Sequence, residues 1–353
     1  MARQRIIDGE PGGPGDVRSN WALRPRRFEE WVGQKSVIDQ LHIALDAAKQ
    51  RGEPLEHVLL DGPPGLGKTT LAHVIAEEMG VAERIRVTSG PAIVKQGELM
   101  STLTNLDEGD VLFIDEVHRL SRVVEEFLYP AMEDFRVDYT IEGGIGGRTV
   151  NFRLKRFTLI GATTRAGMLT AAMRDRFGLR YHLDFYEPDE LLEILQRSAK
   201  RLEVAAEEDA LRMIAERSRG TPRVSNRLLR RIRDYAQVRA DGRIHAGVVE
   251  KALAIEEIDG TGLDRLDRAF LTVLIDTYRG GPAGIEAVAA TMGQSRDTLE
   301  DMVEPFLLQR GFVIRTRQGR RATVRAYEHL GLPAPAEDPI ADLNGTAPGL
   351  FEE

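Results

Sequence analysis

The sequence contains no cysteine. That absence removes disulfides, thiolate metal sites and cysteine nucleophiles together, and it suits a reducing compartment. The chain also lacks any apolar run near the roughly 18 residues that a membrane span needs. Its first residues, Met1-Ala2-Arg3-Gln4-Arg5, lead into no apolar signal core. A cytoplasmic location is the expectation. An excess of positive charge is missing too, since Asp and Glu outnumber Lys and Arg 56 to 48 and the formal net charge is −8. This balance argues against a uniformly cationic, nucleic-acid-coating surface but leaves room for a local basic patch. What is present is 42% hydrophobic and 29% charged over 353 residues, a composition with room for two or three domains.

The strongest signal is Gly62-Pro63-Pro64-Gly65-Leu66-Gly67-Lys68-Thr69, which satisfies the phosphate-loop pattern G-x-x-x-x-G-K-[ST] at every fixed position. His57-Val58-Leu59-Leu60-Asp61 before it reads as a short buried strand, and residues 70–79 after it as a helix. The chemistry needs that context. Glycines let backbone N–H groups turn inward around anionic oxygens, and the helix N-terminus adds partial positive charge. Lys68 is then the ligand of the β- and γ-phosphates, and the Thr69 hydroxyl a ligand of Mg²⁺. An ordinary Gly/Pro turn seldom places eight positions in register.

Along the chain, Gly and Pro crowd the first twenty residues, which predicts a disordered leader. Val37, Ile38, Leu41, Ala44, Leu45 and Ala48 recur at helical spacing, and Gly52 and Pro54 end that helix. Ile85-Arg86-Val87-Thr88 reads as a strand. Asp110-Val111-Leu112-Phe113-Ile114-Asp115-Glu116 is an apolar run closed by two acids, as a central parallel strand presents them at its C-terminal edge. Beside a phosphate loop, Asp115 would support Mg²⁺ and Glu116 would activate the attacking water. Taken alone, the same stretch reads equally well as a strand-terminal acid capping a helix. His118 has no partner at metal-ligand spacing and reads as a surface or packing histidine.

Residues 138–154 alternate about a glycine-rich tip, a β-hairpin pattern. Phe157 to Arg165 is another buried strand, ending in Thr163 and Thr164, and Arg174-Asp175-Arg176 follows. From about Phe185 to Asp259 the apolar period is helical, interrupted by Arg219-Gly220-Thr221-Pro222-Arg223. Beyond Asp259-Gly260-Thr261-Gly262, three short helices precede Gly311 to Tyr327, which fits two strands about a Gln-Gly turn, a winged-helix pattern. Arg310, Arg315, Arg317, Arg320, Arg321 and Arg325 fall in a stretch without acids between Glu304 and Glu328. A DNA-phosphate grip and a solvated charged hairpin account equally well for this stretch alone. From Pro333 the composition predicts a disordered tail.

Together the phosphate loop, acidic strand, hydroxyl-ended strand, Arg-x-Arg motif and helical lid resemble the AAA+ family of ring-forming ATPases. Phe113 to Leu120, Leu128 to Phe135, Gly161 to Gly167, Gly220 to Arg223, and Arg310-Gly311-Phe312 with its Arg-rich hairpin resemble its RuvB family. Members of that family are bacterial Holliday-junction branch-migration motors. The resemblance covers about Trp21 to Leu332. It implies an α/β fold: an AAA+ P-loop domain with a parallel sheet over 21–184, including the hairpin 138–154, then a helical lid over 185–259 and a winged helix over 260–332. The segments 1–20 and 333–353 fall outside it.

The resemblance also assigns roles. Gly65, Leu66, Gly67, Lys68, Thr69 and Thr70 hold ATP, Thr69 and Asp115 hold Mg²⁺, and Asp115 and Glu116 are the catalytic acids. Thr164 and Arg223 are the first and second nucleotide sensors, and Arg176 is the arginine finger toward the neighbouring subunit. Arg24, Tyr186 and Glu133-Asp134-Phe135 lie near bound nucleotide, and Ile141, Ile145 and Val150 contact the junction-binding partner RuvA. The expected assembly is a homo-hexamer on duplex DNA and Holliday junctions, with the RuvC resolvase in the same complex. Two other readings are a clamp loader or replication initiator, and a DNA-binding regulator switched by ATP.

Overall fold

The computed structural model describes residues 22–141 and 148–334, with side chains from 22 to 138 and from 150 onward. The expected leader, nearly all of the expected tail and Ile145 lie outside the described residues. Five strands make one parallel sheet in the order β2-β3-β6-β1-β7, with β1 at Val58–Asp61, β2 at Arg86–Ser89, β3 at Val111–Asp115, β6 at Thr158–Thr163 and β7 at Leu179–His182. Between them, β4 (Arg136–Ile141) and β5 (Arg148–Arg153) form the antiparallel hairpin. Val58, Leu60, Val111, Phe113 and Ile160 are fully buried, as are Leu112, Ile114 and Leu159 on the alternate positions. Burial on both faces is why β1, β3 and β6 read as unbroken apolar runs rather than alternating ones.

The order has a functional consequence. With β6 between β1 and β3, the C-terminal residues Asp61, Thr163 and Asp115 come out side by side on one edge, each strand about 4.8 Å from the next. Helices α1 (Lys35–Arg51), α2 (Lys68–Glu78), α3 (Gln96–Thr104), α4 (Arg122–Glu133) and α5 (Ala171–Asp175) accompany the sheet. Leu99, Leu103, Leu128, Ala131 and Met132 pack with the sheet residues into one core.

At the opposite edge, His57 joins three elements. Its Nδ1 accepts the Leu159 N–H at 2.9 Å, and its Nε2–H donates to the Met132 carbonyl at 3.0 Å. The ring also packs against Phe157 and Phe135, with centroids 5.5 and 6.1 Å away. Burial pulls the His57 pKa below the ordinary value, against the opposing effect of its bond to Met132. The neutral ring is thus the one the fold holds.

Contacts divide the chain into two bodies, one running to Ile194 and including Thr221–Arg223, the other comprising Leu195–Gly220 and everything from Val224. In the second body, the end of α6 (Pro188–Arg201) leads to α7 (Glu208–Glu216), to α8 (Pro222–Arg239) from Val224 onward, and to α9 (Ala246–Ile255). Then come α10 (Arg265–Thr272), α11 (Ile285–Met292), α12 (Glu304–Gln309), the hairpin β8 (Val313–Thr316) and β9 (Gly319–Ala322), and α13 (Val324–His329). Phe270, Leu274, Leu299, Leu307 and Phe312 centre its terminal core.

One reading of the sequence changes, and one strand escaped it. The second strand of the terminal hairpin stops at Ala322, and Val324 to Tyr327 begin a helix instead of extending it. Thr323 turns the chain, its hydroxyl donating to the Gly311 carbonyl at 2.6 Å. The edge strand β7 had no apolar run to announce it, because in Leu179-Arg180-Tyr181-His182 only Tyr181 is buried.

His57→Ala is expected to lose about 3 kcal/mol of unfolding free energy through a cavity and two unpaired backbone groups. Denaturant titration checks this. Because the folded pKa lies below the unfolded value, the contribution of the neutral ring is lost as pH falls below about 6.5. Wild type should therefore show a steeper acid loss than the variant.

Candidate functional site

After Asp61 the chain turns through Gly62 and Gly67, at φ +132° and +104°, and enters α2 at Lys68. A Cβ on Gly62 would stand 2.3 Å from the Leu183 carbonyl oxygen, so the loop's first turn admits only glycine. Leu66 is fully buried beneath the loop, and the buried Tyr186 hydroxyl donates to its carbonyl at 3.3 Å. Tyr186 thus braces the loop from behind, at its backbone.

Lys68 is 7% exposed, and its ammonium donates to the carbonyls of Gly62 and Pro63 at 2.7 and 2.8 Å. Burial draws its pKa down to about 8; Asp115 and Asp61 oppose that, while Arg223 adds to it. Arg24 is drawn down to about 10 by burial and by Arg223, against Asp115. The Arg223 backbone N–H reaches the Gly65 carbonyl at 3.4 Å. Three cations are therefore gathered about one glycine loop at a helix N-terminus, where Arg223 disfavours the charge of both Lys68 and Arg24. A polyphosphate is the ligand that relieves all three.

On the neighbouring strands, the Thr69 hydroxyl donates to Asp115 Oδ2 at 3.3 Å, and Asp115 Oδ1 accepts the Glu116 N–H at 2.9 Å. Glu116 has φ +50°, in the left-handed region that costs a non-glycine residue energy. That turn swings its carboxylate out of the line of β3, where it pairs with Arg119 at 3.0 Å. Thr163 pairs its hydroxyl with His118 Nδ1 at 2.8 Å and accepts the Arg165 N–H at 3.0 Å. His118 is thereby a clamp between β6 and the turn after β3, which the sequence did not disclose. Thr164, the next residue, stands half-buried beyond the strand.

The hard oxygens of Thr69 and Asp115 fit Mg²⁺, which takes few protein ligands and completes its shell with phosphate and water. Among the described residues there is no group of three or more His, Asp or Glu that could hold a metal without such help.

Glu133, Asp134 and Phe135 come out elsewhere. They close α4 at the N-terminal edge of the sheet, the edge opposite the phosphate loop, and the Phe135 ring packs on His57 and Phe157. Within one chain they do not line the loop. Asp134 pairs with Arg136 at 3.2 Å, and Glu133 with Arg176 at 3.1 Å. The Arg176 guanidinium also lies 4.0 Å over the Tyr129 ring and donates to the Ala172 carbonyl at 2.7 Å. In the hairpin, Ile141 pairs with Arg148 and Tyr139 with Val150, which is half-buried.

The terminal arginines divide. Glu304, fully buried, accepts Arg320 Nε at 2.6 Å and both Nε and Nη2 of Arg315. Burial alone would raise the Glu304 pKa, but the two guanidiniums outweigh it and hold the carboxyl below its usual range. Arg320 is 16% exposed and built into the fold, whereas Arg315 is still 55% exposed. Arg317 stands exposed at the hairpin tip, and Arg310 and Arg321 are half-buried. The basic run is thus a smaller cationic surface than its letters suggest.

Residues 23–183 match the model of the Holliday junction DNA helicase RuvB P-loop domain, residues 186–259 the RuvB AAA lid domain, and residues 260–331 the RuvB C-terminal winged helix domain. The chain belongs to the RuvB family. It is accordingly an AAA+ ATPase with a nucleotide-binding P-loop domain and a DNA-binding winged-helix domain. Among solved structures it is similar to Thermotoga maritima RuvB, described as a Holliday junction branch migration motor, at 50% identity and TM-score 0.81, over 89% of this chain and 100% of that one. A lysine-to-arginine variant of the same Thermotoga protein matches at 50% identity and TM-score 0.82, over 89% of this chain and 99% of that one.

Two outcomes follow. Nucleotide phosphates should raise the depressed pKa of Lys68, so binding takes up a proton above pH 8 and affinity falls as pH rises through that value, by up to about tenfold per unit. Calorimetry in buffers of different ionisation enthalpy would expose a site without this uptake. For DNA, Arg317→Ala is expected to flatten the slope of log affinity against log salt by about one. Arg320→Ala should act first on thermal stability, as a melting curve would show.

Proposed function

We propose that this chain works as the motor subunit of a homo-hexameric ring that drives branch migration of Holliday junctions, drawing duplex DNA through ATP hydrolysis. The observation that carries the reading is the meeting of the Lys68 loop, Asp115, Glu116 and Thr164 on one sheet edge in a chain that also carries a winged helix. The matched ranges support a division into a large ATPase domain over 21–184, a lid over 185–259 and a winged helix over 260–332.

In this mechanism Gly65, Leu66 and Gly67 present backbone N–H groups to the phosphates, and Lys68, Arg24 and Arg223 offset their charge. Thr70, in the first turn of α2, lies beside the phosphate site. Thr69 and Asp115 would hold Mg²⁺, which supplies Lewis-acid stabilisation of phosphate charge. Glu116 takes the proton of the attacking water as its oxygen bonds to the γ-phosphorus and the bond to the β-phosphate oxygen breaks. Thr164, just beyond the end of β6, reads the γ-phosphate. Arg176, held on Tyr129 and Glu133, reaches the nucleotide of the neighbouring subunit and offsets charge in the transition state. Glu133 and Asp134 lie on that same face, with the Phe135 ring as its anchor. The hairpin of β4 and β5, through Ile141, Ile145 and Val150, is the contact for RuvA, and RuvC joins the complex on the junction. The DNA grip of Arg310, Arg315, Arg317 and Arg321 is to phosphate and independent of sequence. Arg320 supports that grip from within. The compartment is the cytoplasm.

The test is ATP-driven dissociation of a synthetic four-way junction, with and without RuvA. Wild type is expected to dissociate it, and Lys68→Ala and Arg176→Ala to fail. Glu116→Gln should bind ATP but turn it over slower by about 10²-fold or more. Arg176→Ala should lose about 10³-fold, restored in part when mixed with a chain that keeps its arginine. ATP hydrolysis on DNA with no junction movement, even with RuvA, would replace this reading with the clamp loader.

A further inference from the structure

In the sequence Arg219 is only the first residue of the stretch that interrupts the helical period, Arg219-Gly220-Thr221-Pro222-Arg223. The structure buries it: 5% of the residue is exposed, and its backbone sits at φ +57°. Each nitrogen of the guanidinium donates. Nη2 donates to Asp267, which is fully buried, and lies 3.8 Å from Asp264. Nε donates to the Gly262 carbonyl at 3.2 Å and Nη1 to the Met302 carbonyl at 3.4 Å. The plane lies 4.7 Å over the Phe306 ring. The same Asp267 oxygen accepts the Asp264 N–H at 2.8 Å, closing the cap of α10, while Asp264 accepts the N–H groups of Leu266 and Asp267.

One side chain at the end of the α7 turn therefore grips the linker at Gly262, the start of α10, the turn at Met302 and the first turn of α12. All of these except Arg219 itself belong to residues 260–331, the winged-helix range. Arg219 belongs to the lid range, and two residues on in the chain begins Thr221–Arg223, whose backbone meets the phosphate loop. Only a planar fork with donors on three edges and a face for an aromatic ring makes all these contacts at once; a lysine cannot.

We infer that Arg219 is the positioning residue that fixes the winged helix to the lid, so that a nucleotide-dependent shift of Thr221–Arg223 moves the DNA-binding domain as a rigid piece. This rests on the motor reading above. Arg219 touches neither nucleotide nor DNA in this scheme. Its effect is on the coupling between the two ligands, which must be reciprocal: nucleotide state changes DNA affinity by the factor by which DNA changes nucleotide affinity.

The experiment uses the full chain, Arg219→Lys, and the double variant Arg219→Met with Asp267→Leu. The lysine keeps a buried cation opposite Asp267. The double variant removes the pair while retaining apolar volume, a replacement that buried ion pairs tolerate. For each, duplex DNA affinity is measured with ADP and with a non-hydrolysable ATP analogue, alongside ATPase rate without and with DNA. Wild type is expected to show a ratio of the two affinities in the ordinary coupling range of roughly 5–150-fold. In both variants that ratio and the stimulation by DNA should fall toward one, while ATPase without DNA and the mean DNA affinity stay at wild-type levels. A folded variant that keeps the wild-type ratio overturns the inference. So does an equal loss of DNA affinity in both nucleotide states, which marks a purely structural residue. A wild-type ratio of one would instead overturn the motor reading itself.

Discussion

The structure depends on keeping positive charge where water is scarce. Lys68 sits almost wholly buried at the mouth of a glycine loop, with Arg223 adding like charge to it and to Arg24, and with Asp115 set against both. Such a cluster is unfavourable by itself, and much of the surrounding architecture serves to hold it. Leu66 pins the loop from below, Tyr186 ties its backbone, and the parallel sheet brings Asp115 within reach of Thr69. The strain at Glu116 belongs to the same economy: the turn that frees its carboxylate from the strand line is one that the fold imposes against local preference.

A second design principle is the separation of holding from reacting residues. Several of the groups assigned a task are held in place by a neighbouring side chain. His118 clamps Thr163 beside Thr164, Tyr129 and Glu133 carry Arg176, and Glu304 orients Arg315 and Arg320. Groups held in this way lose little further freedom when a ligand arrives, which is how precise geometry is reached on loops and strand ends.

The phosphate loop, the acidic strand and the hydroxyl-ended strand were legible in the sequence because their signals are local: fixed glycines, an unbroken apolar run, a terminal acid. The strand β7 and the helix Val324–His329 were not, since one is a half-exposed edge and the other begins with an alternating Val-Arg-Ala-Tyr that imitates a strand. Positioning residues were hidden for a different reason. His57 and Arg219 act through partners far away in the chain, 102 positions for His57 and Leu159 and 48 for Arg219 and Asp267, so no window of sequence contains both halves of the interaction. Glu304 is only 11 and 16 positions from Arg315 and Arg320, but nothing local announces that its carboxylate is buried between them. The same holds for Phe135, whose motif fits its family while its ring serves the core.

The Glu304 clamp changes how the terminal hairpin meets a nucleic acid. Two guanidiniums locked on a buried carboxylate make this hairpin a stiff insert rather than a basic arm that orders on contact. Segments that fold as they bind bury new apolar surface and show it as a large negative heat-capacity change. A pre-set wing has no folding-linked surface to bury, so the heat-capacity change expected on binding is confined to the interface itself, with the release of small ions supplying entropy.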